Sequence, residues 1–437
     1  MNDARKRAAG LLPAALLAAA CAALAPPARA DYFHWIGAGT GGNTATDPAD
    51  PTTQWNYPAN WQEGQPPSPT DTPLLPLANA GYVNAASCVV KGLRVDGPSA
   101  DGALRIADGA DVATASGSGV NVGLFANGRV IQTGGSLTVN GLFRIGADVG
   151  GNGSYLLEGG ALTVPGISDY ESIGEFGTGV FTQTGGTLIV QSTMYVGRMF
   201  GNGVLNMGGG TLRVRSLYLG DAYSQAALNI TDSAARIEIT GGLHFGTNST
   251  LSAVPGSTIH LPGTSLTNLS NDEVALRDLA NLTLVLDGAK PSLGFTMEVA
   301  GKDYGALPIG FYDNFALGSL VIGEGTTRWL WLEDKCDNGN RTSAEALYVH
   351  NITIGPGSEL DLNALHVYYD GAFINQGIVT GGMPIFVPEP GCVALLCLGL
   401  AAIGGRRIVT RGRNMANLAS REGRDALSRM PIPRGTR

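Results

Sequence analysis

Through the middle of the chain, apolar residues fall on alternate positions in short runs, as in Leu137 and Val139 followed by Phe143 and Ile145. A period of two marks a strand with one buried face. The runs also recur. Each unit closes on an aliphatic or aromatic residue and a glycine: Val122-Gly123, Ile145-Gly146, Ile173-Gly174, Val196-Gly197, Leu219-Gly220 and Phe245-Gly246. The steps between these glycines are 23, 28, 23, 23 and 26 residues. Inside the units lies a second mark, Gly-Gly-x-Leu-x-Val, at 134–139, 159–164, 185–190 and 209–214. Three short strands with glycine corners account for about 23 residues. The pattern therefore predicts an all-β fold, a parallel β-solenoid whose coils stack about 4.8 Å apart. Glycine recurs at the corners because those turns are expected to need positive φ. The 28-residue step predicts a loop pushed out near Pro165 to Ser172.

The regular solenoid is expected over 101–265. These glycine-rich units resemble autotransporter-associated β-strand repeats, over about 115–250. Residues 31–100 are read as an N-terminal cap and first strands. Trp35, Trp55 and Trp61 offer flat faces to a sugar, but a plug for the open end of a repeat array is the simpler reading. From 266 to 369 the period fades while the texture stays β, as in Asn281 to Asp287 and Leu330 to Leu332. This stretch predicts irregular coils and a C-terminal cap, followed by a linker at 370–387.

Both ends read as addresses. Arg5-Lys6-Arg7, an apolar Ala14–Ala25 and Ala28-Arg29-Ala30 match a signal peptide over 1–30, with the mature chain starting at Asp31. Lipidation at Cys21 is the alternative. At the other end, Val387-Pro388-Glu389-Pro390 precedes an apolar run at 391–405 and then Arg406-Arg407. Fifteen helical residues span roughly 22 Å, short of the roughly 30 Å hydrocarbon core. The arginines place the basic tail, 408–437, on the cytoplasmic side. Residues 388–407 resemble a PEP-CTERM sorting signal. That resemblance implies a Gram-negative exported protein that passes the Sec translocon, anchors transiently in the inner membrane and is processed by an exosortase. Its destination would be the cell surface or the exopolysaccharide matrix. In the family the chain usually ends soon after the arginines, whereas thirty residues follow here.

Residues 31–387 hold 15 basic and 32 acidic residues, a formal charge of −17. Such a surface repels phosphate backbones, so nucleic acid is not an expected partner. Cys88 and Cys336, 248 positions apart, read as separate thiols. The five histidines lack metal-ligand spacing, no nucleophile elbow, P-loop or HExxH is present, and no cofactor or metal is expected. Asp334, Asp337, Asn338 and Asn340 could offer calcium a polar loop around Cys336, but the EF-hand spacing is absent. Glu175, Arg198 and Asp221 each follow a corner glycine and should stack as an acid–base–acid column. Two acids flanking an arginine could cut a glycosidic bond; a surface salt-bridge ladder is the plainer reading. Arg144, Tyr195, Tyr218 and His244 share an outward position, and the first three are candidate glycan contacts. The sequence thus reads as a non-catalytic scaffold, with a polysaccharide-degrading enzyme or an adhesin as alternatives.

Overall fold

A computed structural model describes residues 55, 61–62, 64–75, 88–97, 103–166, 170–288, 294–338 and 345–388, together with backbone strands at 32–34 and 81–83. It is a parallel β-solenoid of about 11 turns with almost no helix. The signal-peptide residues Ala28, Ala30 and Asp31 lie outside the described residues, as do Trp35, Glu389, Pro390, the apolar run 391–405, Arg406 and Arg407. Among the described residues no helix is long and apolar enough to cross a membrane.

Each regular coil contributes a strand to each of three faces, termed the first, second and third sheets, of which the second and third are joined into one 27-stranded hydrogen-bonded sheet. The first sheet runs through Asn127–Gln132, Asn152–Leu157, Thr178–Gln183, Asn202–Met207, Gln225–Ile230 and Ser249–Ala253, all parallel and in register. A Gly-Gly corner leads to the second sheet, as at Ser136–Thr138 and Ala161–Val164, and then to the third, as at Phe143–Ile145 and Tyr170–Ile173. In two coils the second and third strands merge, at Thr187–Val196 and Thr211–Leu219.

Alternation places one side chain in two inside, and equal coil length places like on like. Val122, Ile145, Ile173, Val196, Leu219 and Phe245 form one inward column, each at most 1% exposed. Val130, Tyr155, Phe181, Leu205 and Leu228 form another, in which Tyr155 and Phe181 stack at 5.3 Å. Each such side chain contributes about 1.5–3 kcal/mol by leaving water. Buried glutamines share the interior. The Nε2 of Gln183 donates to the carbonyls of Gly186 and Thr211, tying one corner to the next coil, and Gln132 does the same at Gly135 and Ala161.

The corner glycines behave as predicted at five of six positions. Gly123, Gly146, Gly174, Gly197 and Gly220 have φ between 66° and 74°; Gly246 does not fall in the positive range. Crowding adds a second reason for glycine, since a Cβ on Gly174 would sit 2.1 Å from the Asn202 carbonyl oxygen of the next coil.

The long step departs from expectation. Its five extra residues split between two places, two in the corner between Gly146 and Asn152 and three between Val164 and Ile173. The second excursion brings Glu171 into the inward column of Phe143, Met194 and Leu217. Its fully buried carboxylate accepts hydrogen bonds from the Phe143 amide and from Ser192 Oγ.

Beyond residue 266 the coils continue rather than dissolve. Second-sheet strands follow at Leu282–Leu286, Leu317–Ile322 and the latter half of Glu345–Ile354, and third-sheet strands at Phe295–Glu298, Trp329–Glu333 and Glu359–Asp361. What disappears is the first sheet. For two coils its place is taken by 3-10 turns at Arg277–Asn281 and Pro308–Phe311. That side resumes as parallel strand at Glu345–Val349, His366–Tyr369 and Ile385–Phe386.

Candidate functional site

The third sheet carries the candidate surface. Register aligns Arg94, Asn121, Arg144, Ser172, Tyr195, Tyr218 and His244 in one column across seven coils. Arg144, Tyr195 and Tyr218 therefore do share a line. The rings of Tyr195 and Tyr218 lie 4.9 Å apart, and His244 stacks on Tyr218 at 3.9 Å and 16°. Tyr170, two residues before Ser172 on the same face, meets Tyr195 edge-on at 6.0 Å. The result is a run of aromatic rings packed against one another from coil to coil, each half-buried.

Ion pairs hold this run in place. The Glu175 side chain is only 5% exposed, and its carboxylate pairs with Arg198 at 2.8 Å and Arg144 at 3.8 Å. It also accepts hydrogen bonds from Tyr170 Oη at 2.9 Å and Ser172 Oγ at 3.4 Å. The Arg198 guanidinium lies 3.8 Å over the Tyr170 ring and 5.0 Å over Tyr195. Arg144 Nε donates to Asn121 Oδ1. One coil run earlier, Arg94 pairs with Asp96 at 2.6 Å and lies 5.0 Å over Phe125. Arg94 and Arg198 are thus each paired with a carboxylate and laid against a ring, while Arg144 shares the Glu175 carboxylate with Arg198.

The acid–base–acid column forms only in part. Glu175 and Arg198 pair, but Asp221 turns to backbone instead, accepting hydrogen bonds from the amides of Met199, Tyr223 and Ser224. Partial burial would raise the Asp221 pKa, yet these hydrogen bonds prevail and lower it. Glu175 differs from the surface ladder expected, because it is buried. Its carboxylate is held by two guanidiniums and two hydroxyl donors. Burial raises the Tyr218 hydroxyl pKa, with Tyr195 adding to it, and burial lowers that of His244. These shifts favour neutral rings.

The corner beside this face exposes Phe125, Val149, Phe176, Phe200 and Tyr223 in successive coils, with Phe200 and Tyr223 at 5.5 Å. The sequence reading missed these and Tyr170; their offset from the corner glycine varies by a residue, which hides the column.

Of the proposed calcium loop, Asn340 lies outside the described residues, and Asp334 joins a cluster with the carboxylates of Glu298 and Glu345 within 4.8 Å. Hard oxygens of this kind suit calcium. Backbone amides already occupy them, however: Lys335 and Cys336 donate to Glu298, and Asn338 donates to Glu345. Cys88 and Cys336 are free thiols. Comparison with family models, curated proteins and solved structures returns no match.

Proposed function

We propose that the chain is an exported, non-catalytic structural protein of the cell surface or exopolysaccharide matrix, delivered through the Sec translocon and exosortase processing, and that its third-sheet ladder contacts glycan. The single observation that supports it most is the column Tyr195, Tyr218 and His244, met edge-on by Tyr170 and flanked by arginines already paired. Ring edges and tyrosine hydroxyls recurring at coil spacing, about every 4.8 Å, suit the hydroxyls of successive sugars in an extended chain. The sequence marks at 1–30 and 387–407 support the export reading. Trp61 and Trp55, at 1% and 2% exposed and packed edge-on at 4.8 Å, suit an N-terminal cap better than an open sugar platform. Val387, buried against Phe311, Tyr348 and Tyr368, is consistent with a C-terminal closure that hands over directly to the sorting motif.

Two experiments test this. Affinity electrophoresis in gels cast with purified matrix polysaccharide should retard the wild type. Tyr195→Ala with Tyr218→Ala should abolish the retardation without changing the circular dichroism. Equal mobility with and without glycan removes the ladder reading. Internally tagged protein in exosortase-positive and exosortase-null hosts should lose its tail near Pro388 only in the former. An intact tail in both removes the sorting reading.

A further inference from the structure

The interruption of the first sheet leaves a cavity of about 650 Å³, within the range of small-molecule sites. Its walls come from the two 3-10 turns that replace strands, and from the corner where the sheet resumes. The turn that carries Phe311 and Tyr312 into the lining is held in place from behind. Tyr348 Oη accepts from the Tyr304 amide and donates to the Gly305 carbonyl. Asn314, 1% exposed, bonds the Lys302 amide and the carbonyls of Lys302 and Gly310. Gly310 has no room for a Cβ, which would lie 2.0 Å from the Tyr348 ring. Asp313 and Phe315 hold left-handed backbone at φ 43° and 55°. Non-glycine residues keep that conformation only where packing enforces it, often beside functional sites.

The lining has a definite chemistry. The Phe311 ring stacks on His350 at 5.3 Å, and Tyr312 stands 71% exposed at the rim. His350 Nδ1 lies 2.8 Å from Asp370 Oδ1, which orients the imidazole. Asp278 and Asp313 supply two further carboxylates, against which stands the Arg277 guanidinium, 3.7 Å from Asp313. Asn281 adds an amide at the edge. Arg277 offsets Asp313, and Asp370 faces His350 while Asp278 accepts the Ala253 amide, so the lining stays net acidic beside aromatic rings and an ammonium group is favoured. Amide, imidazole and ring faces suit the hydroxyls and apolar face of a sugar.

We infer that this cavity binds a cationic saccharide of the amino-sugar class, independently of the third-sheet ladder. The test is calorimetric titration of the full chain with short glucosamine oligomers, at a pH where the amine is protonated. Matched N-acetylglucosamine oligomers and an oligolysine peptide serve as the other probes. Glucosamine oligomers should bind at least about tenfold more tightly than the acetylated ones, and added salt should weaken them. Asp370→Asn, and separately the rim change Tyr312→Ala, should each weaken binding about tenfold, whereas Tyr195→Ala on the ladder should not. Any of four results overturns the inference: no binding, equal binding of acetylated oligomers, binding of oligolysine alone, or loss with Tyr195→Ala but not with Tyr312→Ala.

Discussion

Glu175→Gln separates a positioning carboxylate from a catalytic one. Glutamine keeps the shape and removes the charge that faces Arg198 and Arg144. Removing one partner of a fully buried pair costs about 3–5 kcal/mol, and an exposed pair contributes about 0–1 kcal/mol. The carboxylate is in the first class at 5% exposed, but its arginines keep 22% and 26% of their surface and stay partly hydrated. An intermediate loss of about 2–3 kcal/mol follows, including the weakened hydrogen bonds from Tyr170 and Ser172. Urea unfolding followed by circular dichroism measures it. Hydrogen exchange should show extra opening confined to the coils around 144–198, as expected for a nearest-neighbour array. Glycan retardation should also fall, because Arg198 loses the anchor that holds it over Tyr170 and Tyr195. A change below about 0.5 kcal/mol would refute the reasoning. Loss of a measurable glycan-cleaving activity with unchanged stability would overturn the scaffold reading itself.

Gly174→Ala should destabilise by roughly 3 kcal/mol or more in thermal or urea melts, combining left-handed backbone with a clash against the next coil. Gly256→Ala, at φ 85° with nothing within 4 Å, should cost only about 1–2 kcal/mol; equal losses would remove crowding from the argument. Burial pushes the Cys88 thiol pKa up to about 11, so iodoacetamide should leave it unmodified at neutral pH until the chain unfolds. Burial also depresses the His244 pKa, so the fold prefers neutral imidazole. Its contribution is present above the unfolded value near about 6.5 and is lost as pH falls through the folded value, so melting temperature should drop over that interval. His244→Gln should erase the step; a step that persists must come from another group.

The period-two runs and the glycine steps were enough to read a parallel solenoid, because identical coils must stack like on like and the inward columns follow from register. The same logic aligns Arg144, Tyr195, Tyr218 and His244 from sequence alone. Three things depended on tertiary structure. Asp221 and Arg198 are neighbours by register, but backbone amides of the corner bind the aspartate more effectively than a flexible arginine can. Glu175 sits buried because three extra residues before Ile173 reshape the coil around it, a consequence no local pattern carries. The cavity between Asn281 and Asp370 arises where strand gives way to 3-10 turns. In sequence that region shows only a faded period, since residues far apart in the chain meet there through the coil stack.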